Sequence, residues 1–181
     1  MSDFKGKNVL VTGAAGGIGY LMARKSLEEG AEKLVLWDVN KAALEEARNK
    51  LHPEAGRVYT YLVDVSDYQN VRDCSKQVFN EVGSIDLLFN NAGIVVGKDF
   101  AHHTYSEIEK TIGVNTLGLM YVARAFLQRM LDAKEGHIIN IASAVGLMPN
   151  PGMTVYAGSK WAAVGWSESL RIELEKYSTG V

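Results

Sequence analysis

Five short apolar runs alternate along this chain with longer stretches of helical periodicity, and this alternation restricts the fold more than any other feature. The runs occupy residues 8–11, 34–37, 57–63, 85–89 and 136–141. Between them, residues 20–29, 41–51, 68–82 and 106–131 place apolar side chains at helical spacing. Gly30 stops the first of these stretches, His52-Pro53 the second, and Gly113 interrupts the last. Strands apolar on both faces need helices on both faces, and strands separated by helices run parallel. The expected fold is α/β, a doubly wound parallel sheet of Rossmann type with helices on both sides. At 181 residues and 47% apolar content, residues 1–181 form one domain with no internal repeat or linker.

The first apolar run leads into VTGAAGGIG, where Gly13, Gly17 and Gly19 stand between strand and helix. Missing side chains let a backbone approach a pyrophosphate, and amides at a helix start bind it. Asp38 ends the next run nineteen residues after Gly19, close to the spacing of an acid that bonds ribose hydroxyls. A carboxylate there repels a 2′-phosphate, and the turn holds no Arg or Lys to offset it, so the expected cofactor is NAD rather than NADP.

Further along, TVYAGSK spaces Tyr156 and Lys160 four residues apart, on one face of a helix, with Ser143 thirteen residues before the tyrosine. A phenol is a poor base at neutrality, and a fixed cation beside it favours the phenolate. Ser143 would supply a neutral hydrogen bond to a substrate oxygen. A buried capping tyrosine next to a solvated lysine is the bland alternative for a bare YxxxK, and the dinucleotide turn upstream weighs against it.

The blocks TGxxxGIG at Thr12 to Gly19, Asn90-Asn91-Ala92-Gly93, Asn115, and Ser143 with Tyr156 and Lys160 together resemble the short-chain dehydrogenase/reductase family. The resemblance runs from Lys7 to the last residue. It implies Tyr156 as general acid/base, Lys160 tuning it and holding the nicotinamide ribose, Ser143 on the substrate oxygen, and Asn115 ordering a water in the proton relay. It also implies cofactor contacts from Ala15 and Ile18 with the three glycines, from Asp64 and Val65 beside the adenine, and from Asn91 and Gly93. Around Gly97-Lys98-Asp99, residues 115–118 and residues 165–174 the wording is similar to the branch of retinol and hydroxysteroid dehydrogenases. In that family, members continue past the point matching Val181 with a Pro-Gly cofactor contact, a substrate loop and further strands. The expectation is therefore a domain truncated at its C-terminus, with the fifth strand an exposed edge.

Other signals bound the partners. A net charge of −2 gives no electrostatic support for nucleic acid or an anionic surface, and no apolar run approaches the ~20 residues of a membrane span. A lone Cys74 excludes an internal disulfide and reads as a small buried hydrophobe, while the charged N-terminus lacks a signal-peptide pattern; a cytoplasmic protein is expected. His102-His103 reads as an exposed loop pair without metal-ligand company, so no metal is expected. Lys33, Glu45, Glu46 and Arg48 read as solvated faces. Val145, Leu147, Met148 and Met153 would give the site an apolar mouth suited to a lipophilic secondary or allylic alcohol or its ketone. The Tyr156 helix carries Gly158, Trp161, Ala162, Gly165 and Ile172 on its far side, a face for a homodimer or homotetramer. Two functions remain open: an NAD-dependent alcohol dehydrogenase, and a catalytically silent fragment that binds nucleotide or a protein partner through the same fold.

Overall fold

The computed structural model describes residues 4–51, 56–177 and 181. Five parallel strands form one sheet: β1 Asn8–Thr12, β2 Lys33–Asp38, β3 Val58–Leu62, β4 Leu87–Asn90 and β5 His137–Asn140, in the order β3-β2-β1-β4-β5. After β3 the chain crosses back over β1 to place β4 on its other side. The strand ends of β1 and β4 thus flank a crevice at the switch point, where open α/β sheets bind ligands. Strand β5 is the sheet edge expected from the sequence.

Alternate residues of the strands feed two cores. Leu10, Val35, Trp37 and Leu88 pack with Val71, Val78, Val122 and Phe126 from helices α3 (Tyr68–Glu81) and α5 (Leu119–Ala133). Val9, Val11, Leu34 and Leu36 pack on the opposite face with Ala23 of α1 (Gly17–Glu28) and Leu44 of α2 (Lys41–Lys50). Local signals fix the helix starts. Asn40 caps α2 by accepting from Ala43 N, and Asp67 caps α3 through Gln69 N and Asn70 N. Helix α4 (Tyr105–Ile112) opens on a reciprocal capping box between Thr104 and Glu107. Helix α6 (Thr154–Glu175) lies against α4 and the short 3₁₀ turn Ala144–Gly146.

Several expectations change. Helix α1 starts at Gly17 rather than residue 20, because Tyr20 N already bonds Gly16 O and the glycine turn itself forms the first helical turn. The interruption near Gly113 is not a break: Gly113–Gly118 is a π-helical turn that joins α4 to α5 in one rod. Strand β4 starts at Leu87, and just before it the Asp86 carboxylate accepts from Asn8 N at 2.7 Å. Lys33 is not a solvated charge, for its Nζ donates to Val82 O at 2.9 Å and satisfies a carbonyl at the α3 C-terminus. His102 is exposed, but both ring nitrogens of His103 are buried, its ring lying 6.3 Å from that of Phe100. Cys74 is buried on α3, and that burial raises its thiol pKa. The helix end expected at His52-Pro53 lies outside the described residues; α2 closes at Lys50. Among the described residues no helix is long and apolar enough to cross a membrane.

Candidate active site

The turn between β1 and α1 is held from two sides. Gly13 and Gly17 adopt left-handed backbone, φ 63° and 53°. On one side the Asp38 carboxylate accepts from Ala15 N and from Asn40 N, each at 3.0 Å, so the end of β2 is bolted to the turn. On the other, Asn91 Nδ2 donates to Thr12 O at 2.9 Å and Gly13 O at 3.2 Å, while Thr12 Oγ1 accepts from Asn91 N and Ala92 N at 3.0 Å. These bonds fix the turn before any ligand arrives.

The amides that open α1 receive no side-chain cap. Gly16 is the N-cap, has no side chain to cap with, and the first turn carries no acid. A Cβ at Gly16 would meet nothing within 4 Å, so its backbone borders open space. Gly19 is the opposite case: a Cβ there would fall inside the Gly13 carbonyl oxygen and 2.6 Å from Asn91 Nδ2. A Cβ on Gly93 would instead make ordinary contacts, 3.4 Å from Asn115 Oδ1 and 3.7 Å from Lys160 Nζ. Uncapped amides at a helix start, bare glycine backbone and a carboxylate at the end of the next strand are the chemistry that fits a dinucleotide.

Beyond the turn, Asp64 N donates to Asn70 Oδ1 at 2.7 Å and Asp64 Oδ1 accepts from Ser66, placing Asp64 and Val65 on the cleft wall. The π-turn brings Asn115 underneath. It is 1% exposed, accepts from Ile94 N at 2.8 Å, and donates to Ile94 O at 2.9 Å and to Ser159 Oγ at 3.0 Å. Ser159 Oγ in turn donates to Tyr156 O at 2.6 Å, so the loop after β4, the π-turn and the first turns of α6 form one hydrogen-bonded block.

On α6, Tyr156 faces the cleft, and Lys160 Nζ lies 5.9 Å from the centroid of its ring. Lys160 is only 5% exposed; its ammonium donates to Ile141 O at 2.6 Å, and burial holds its pKa below the usual lysine range. Ser143 follows β5 in extended backbone and borders the same cleft. Its loop closes on α6 because Gly146 has no Cβ, which would stand 2.8 Å from Lys160 O.

One continuous cavity of about 1240 Å³ runs from Gly13 and Asp38, past Asn91 and Gly93, to Ser143, Tyr156 and Lys160. Ile18 and Val65 line it, and Ala15 and Gly17 belong to the turn at its Gly13 end. Asn115 is behind the wall rather than on it, acting through Ile94. Gly16, Val39, Val114 and Ile141 also line the cavity and were not among the expected contacts. For Gly16 the signal was present, since GG at 16–17 offers two bare positions. Toward the Tyr156 end, Val95 lines the cavity; Val145, Leu147, Met148 and Met153, expected at its mouth, are not among its lining residues, although Leu147 and Met148 are exposed and a Cβ on Gly97 would lie 3.3 Å from Met153 Cε. No group of three potential metal ligands occurs among the described residues.

The sequence profile of the short chain dehydrogenase family matches residues 7–181. Estradiol 17-beta-dehydrogenase 11 of Macaca fascicularis is 40% identical over 169 residues, spanning 93% of this chain and 56% of that protein. Epidermal retinol dehydrogenase 2 of Mus musculus is 41% identical over 179 residues, 97% of this chain and 57% of that protein. This chain therefore spans little more than half the length of these relatives. A crystal structure of a short chain dehydrogenase/reductase from Burkholderia phymatum in complex with NAD superposes with a TM-score of 0.95 at 34% identity, covering 100% of this chain and 64% of that one.

Proposed function

The chain belongs to the short-chain dehydrogenase family, and we propose that it catalyses NAD-dependent oxidation of a lipophilic secondary or allylic alcohol, and the reverse reduction, with Tyr156 carrying the proton. What carries the proposal is the convergence of Ser143, Tyr156 and Lys160 on the same cavity as the glycine turn. A dinucleotide bound there supplies the hydride acceptor; the chain's own task is to hold the alcohol and manage one proton. Ser143 Oγ donates to the alcohol or carbonyl oxygen. Tyr156 takes the hydroxyl proton, and the nearby Lys160 ammonium stabilises the negative charge the phenol oxygen bears beforehand. The bond to Ile141 O anchors that ammonium against the end of β5.

Asp38 at the ribose end supports NAD over NADP, because its carboxylate is already fixed by two backbone amides and cannot turn away from a 2′-phosphate. Exposed Leu147 and Met148 on the loop after Ser143, with Val95 on the cavity wall, support a lipophilic substrate, retinoid-like or steroid-like. A second copy packing on the exposed far side of α6, where Trp161 and Ile172 stand out, would give the homodimer or homotetramer. A reducing, cytoplasmic setting suits the lone buried Cys74.

The test pairs an absorbance assay for NAD reduction, run over retinoid, steroid and simple secondary alcohols, with direct measurement of NAD affinity in wild type and Tyr156→Phe. Loss of turnover with affinity changed by less than about threefold is expected. NAD binding with no turnover in the wild type would instead favour the silent nucleotide-binding fragment.

A further inference from the structure

The C-terminal end of β5 leads directly to Ser143, and α6 carries Tyr156 and Lys160, so the site depends on how α6 sits over a strand at the sheet edge. Two polar side chains of α6 reach that strand end. Lys160 Nζ donates to Ile141 O, and two turns further along the same face Ser167 Oγ accepts from Asn140 Nδ2 at 2.9 Å. The second bond belongs to a one-way chain. Asn90 Nδ2 donates to Asn140 Oδ1 at 2.9 Å, Asn140 Nδ2 to Ser167, and Ser167 Oγ–H to Ala163 O at 2.6 Å. Each group donates onward to the next, an arrangement in which neighbouring bonds polarise one another. The chain starts on β4, passes through β5 at the register pair Asn90–Asn140, and ends in the backbone of α6 three residues beyond Lys160.

We propose that Asn140 and Ser167 are positioning residues, a second strap that sets the height of α6 over β5 and thereby keeps Lys160 seated on Ile141 O beside Tyr156. The strap touches no reacting atom. Its relevance to catalysis rests on the function proposed above, whereas its effect on Lys160 does not. Asn140 and Ser167 border an open cavity of about 430 Å³, so truncating either removes the bond without forcing atoms together.

The experiment is competitive acetylation with acetic anhydride, read lysine by lysine by peptide mass spectrometry, on wild type, Ser167→Ala, Asn140→Ala, the double variant and Ser167→Thr. Lys33, which also donates to a backbone carbonyl but far from the strap, is the internal control. Each alanine variant should raise Lys160 labelling about fivefold, the weight of one net hydrogen bond, with Lys33 unchanged. The double variant should be no worse than the singles, and Ser167→Thr should match wild type. Unchanged Lys160 labelling in both single variants would overturn the proposal, as would a parallel rise at Lys33, which marks general loosening. An inactive wild type with the expected labelling would sink the proposed oxidation and leave the strap standing.

Discussion

Asn115 pairs with both backbone polar groups of Ile94: its Oδ1 accepts from Ile94 N at 2.8 Å while its Nδ2 donates to Ile94 O at 2.9 Å. Asn115 sits within the π-turn Gly113–Gly118, a kind of helix interruption that recurs at functional sites. Asn115→Ala would leave the Ile94 backbone and Ser159 Oγ without these partners. We expect a loss of about 3 kcal/mol in denaturant unfolding, the cost of orphaning buried polar groups. Nucleotide affinity should fall less than turnover, since Ile94 adjoins Gly93 and the Tyr156 end of the cavity. An unchanged unfolding midpoint would show that the π-turn is not held by this pair.

Two glycines of the same turn should separate folding from binding. Gly19→Ala forces a Cβ into the Gly13 carbonyl and against Asn91 Nδ2, both fixed by neighbouring bonds, so the protein should unfold or lose several kcal/mol. Gly16→Ala places its Cβ in open space at an extended backbone position, φ −165°, that alanine adopts freely. Its melting temperature should stay within about 2 °C, while NAD affinity falls about tenfold or more as the methyl group blocks the approach to the α1 amides. Equal stability loss in both variants would refute this division.

Elements were legible where one residue type settles its own environment. The apolar runs became β1 to β5 because Val, Leu and Ile on both faces can be satisfied only between two helical layers, and Asn40, Asp67 and Thr104 mark helix starts by local bonds alone. Tyr156 and Lys160 were readable together because helical spacing fixes their shared face. The features that escaped depend on distant partners. Asn115 within the π-turn bonds Ile94, a residue twenty-one positions before it. Lys33 looks like any surface lysine until Val82 O is brought beneath it by the crossing of α3. His103 differs from His102 only in which way the loop before α4 folds it. Asn140 and Ser167 carry no spacing signal at all, since strand and helix meet there only in three dimensions.

At the end of β2, Asp38 has a structural duty as well as the proposed selective one. Asp38→Ala removes the acceptor for Ala15 N and Asn40 N, so affinity for both NAD and NADP should drop. The repulsion of a 2′-phosphate disappears only for NADP. The ratio of NAD to NADP affinity should therefore fall about tenfold, and that ratio is the informative quantity. A ratio that stays constant while both affinities drop would make Asp38 a purely structural clamp and remove the ground for preferring NAD.

Acid should loosen one wall of the cavity before it unfolds the domain. Glu107 accepts from Lys98 Nζ at 2.7 Å and from Thr104 N at 2.8 Å, tying the loop after β4 to the start of α4. The Lys98 bond first, then those from Thr104, hold its carboxyl down to about 2, below the ordinary 4.5. A folded-state value below the unfolded one means that the unfolded chain binds the proton more readily. The clasp therefore contributes in full above about pH 4.5 and is lost as pH falls through about 2. Both partners are solvent-accessible, so the effect is local rather than global. Hydrogen exchange of the amides at 104–108, measured from pH 6 down to pH 2 and corrected for intrinsic rates, should show protection declining across that interval. In Glu107→Gln the decline should vanish, with protection low throughout, because a neutral amide cannot replace the charged bond to Lys98. Lys98→Met should move the decline upward toward pH 4.5 without abolishing it, since both Thr104 bonds remain. Matching pH profiles for wild type and Glu107→Gln would show that the loop is held instead by the packing of Gly97 on Met153.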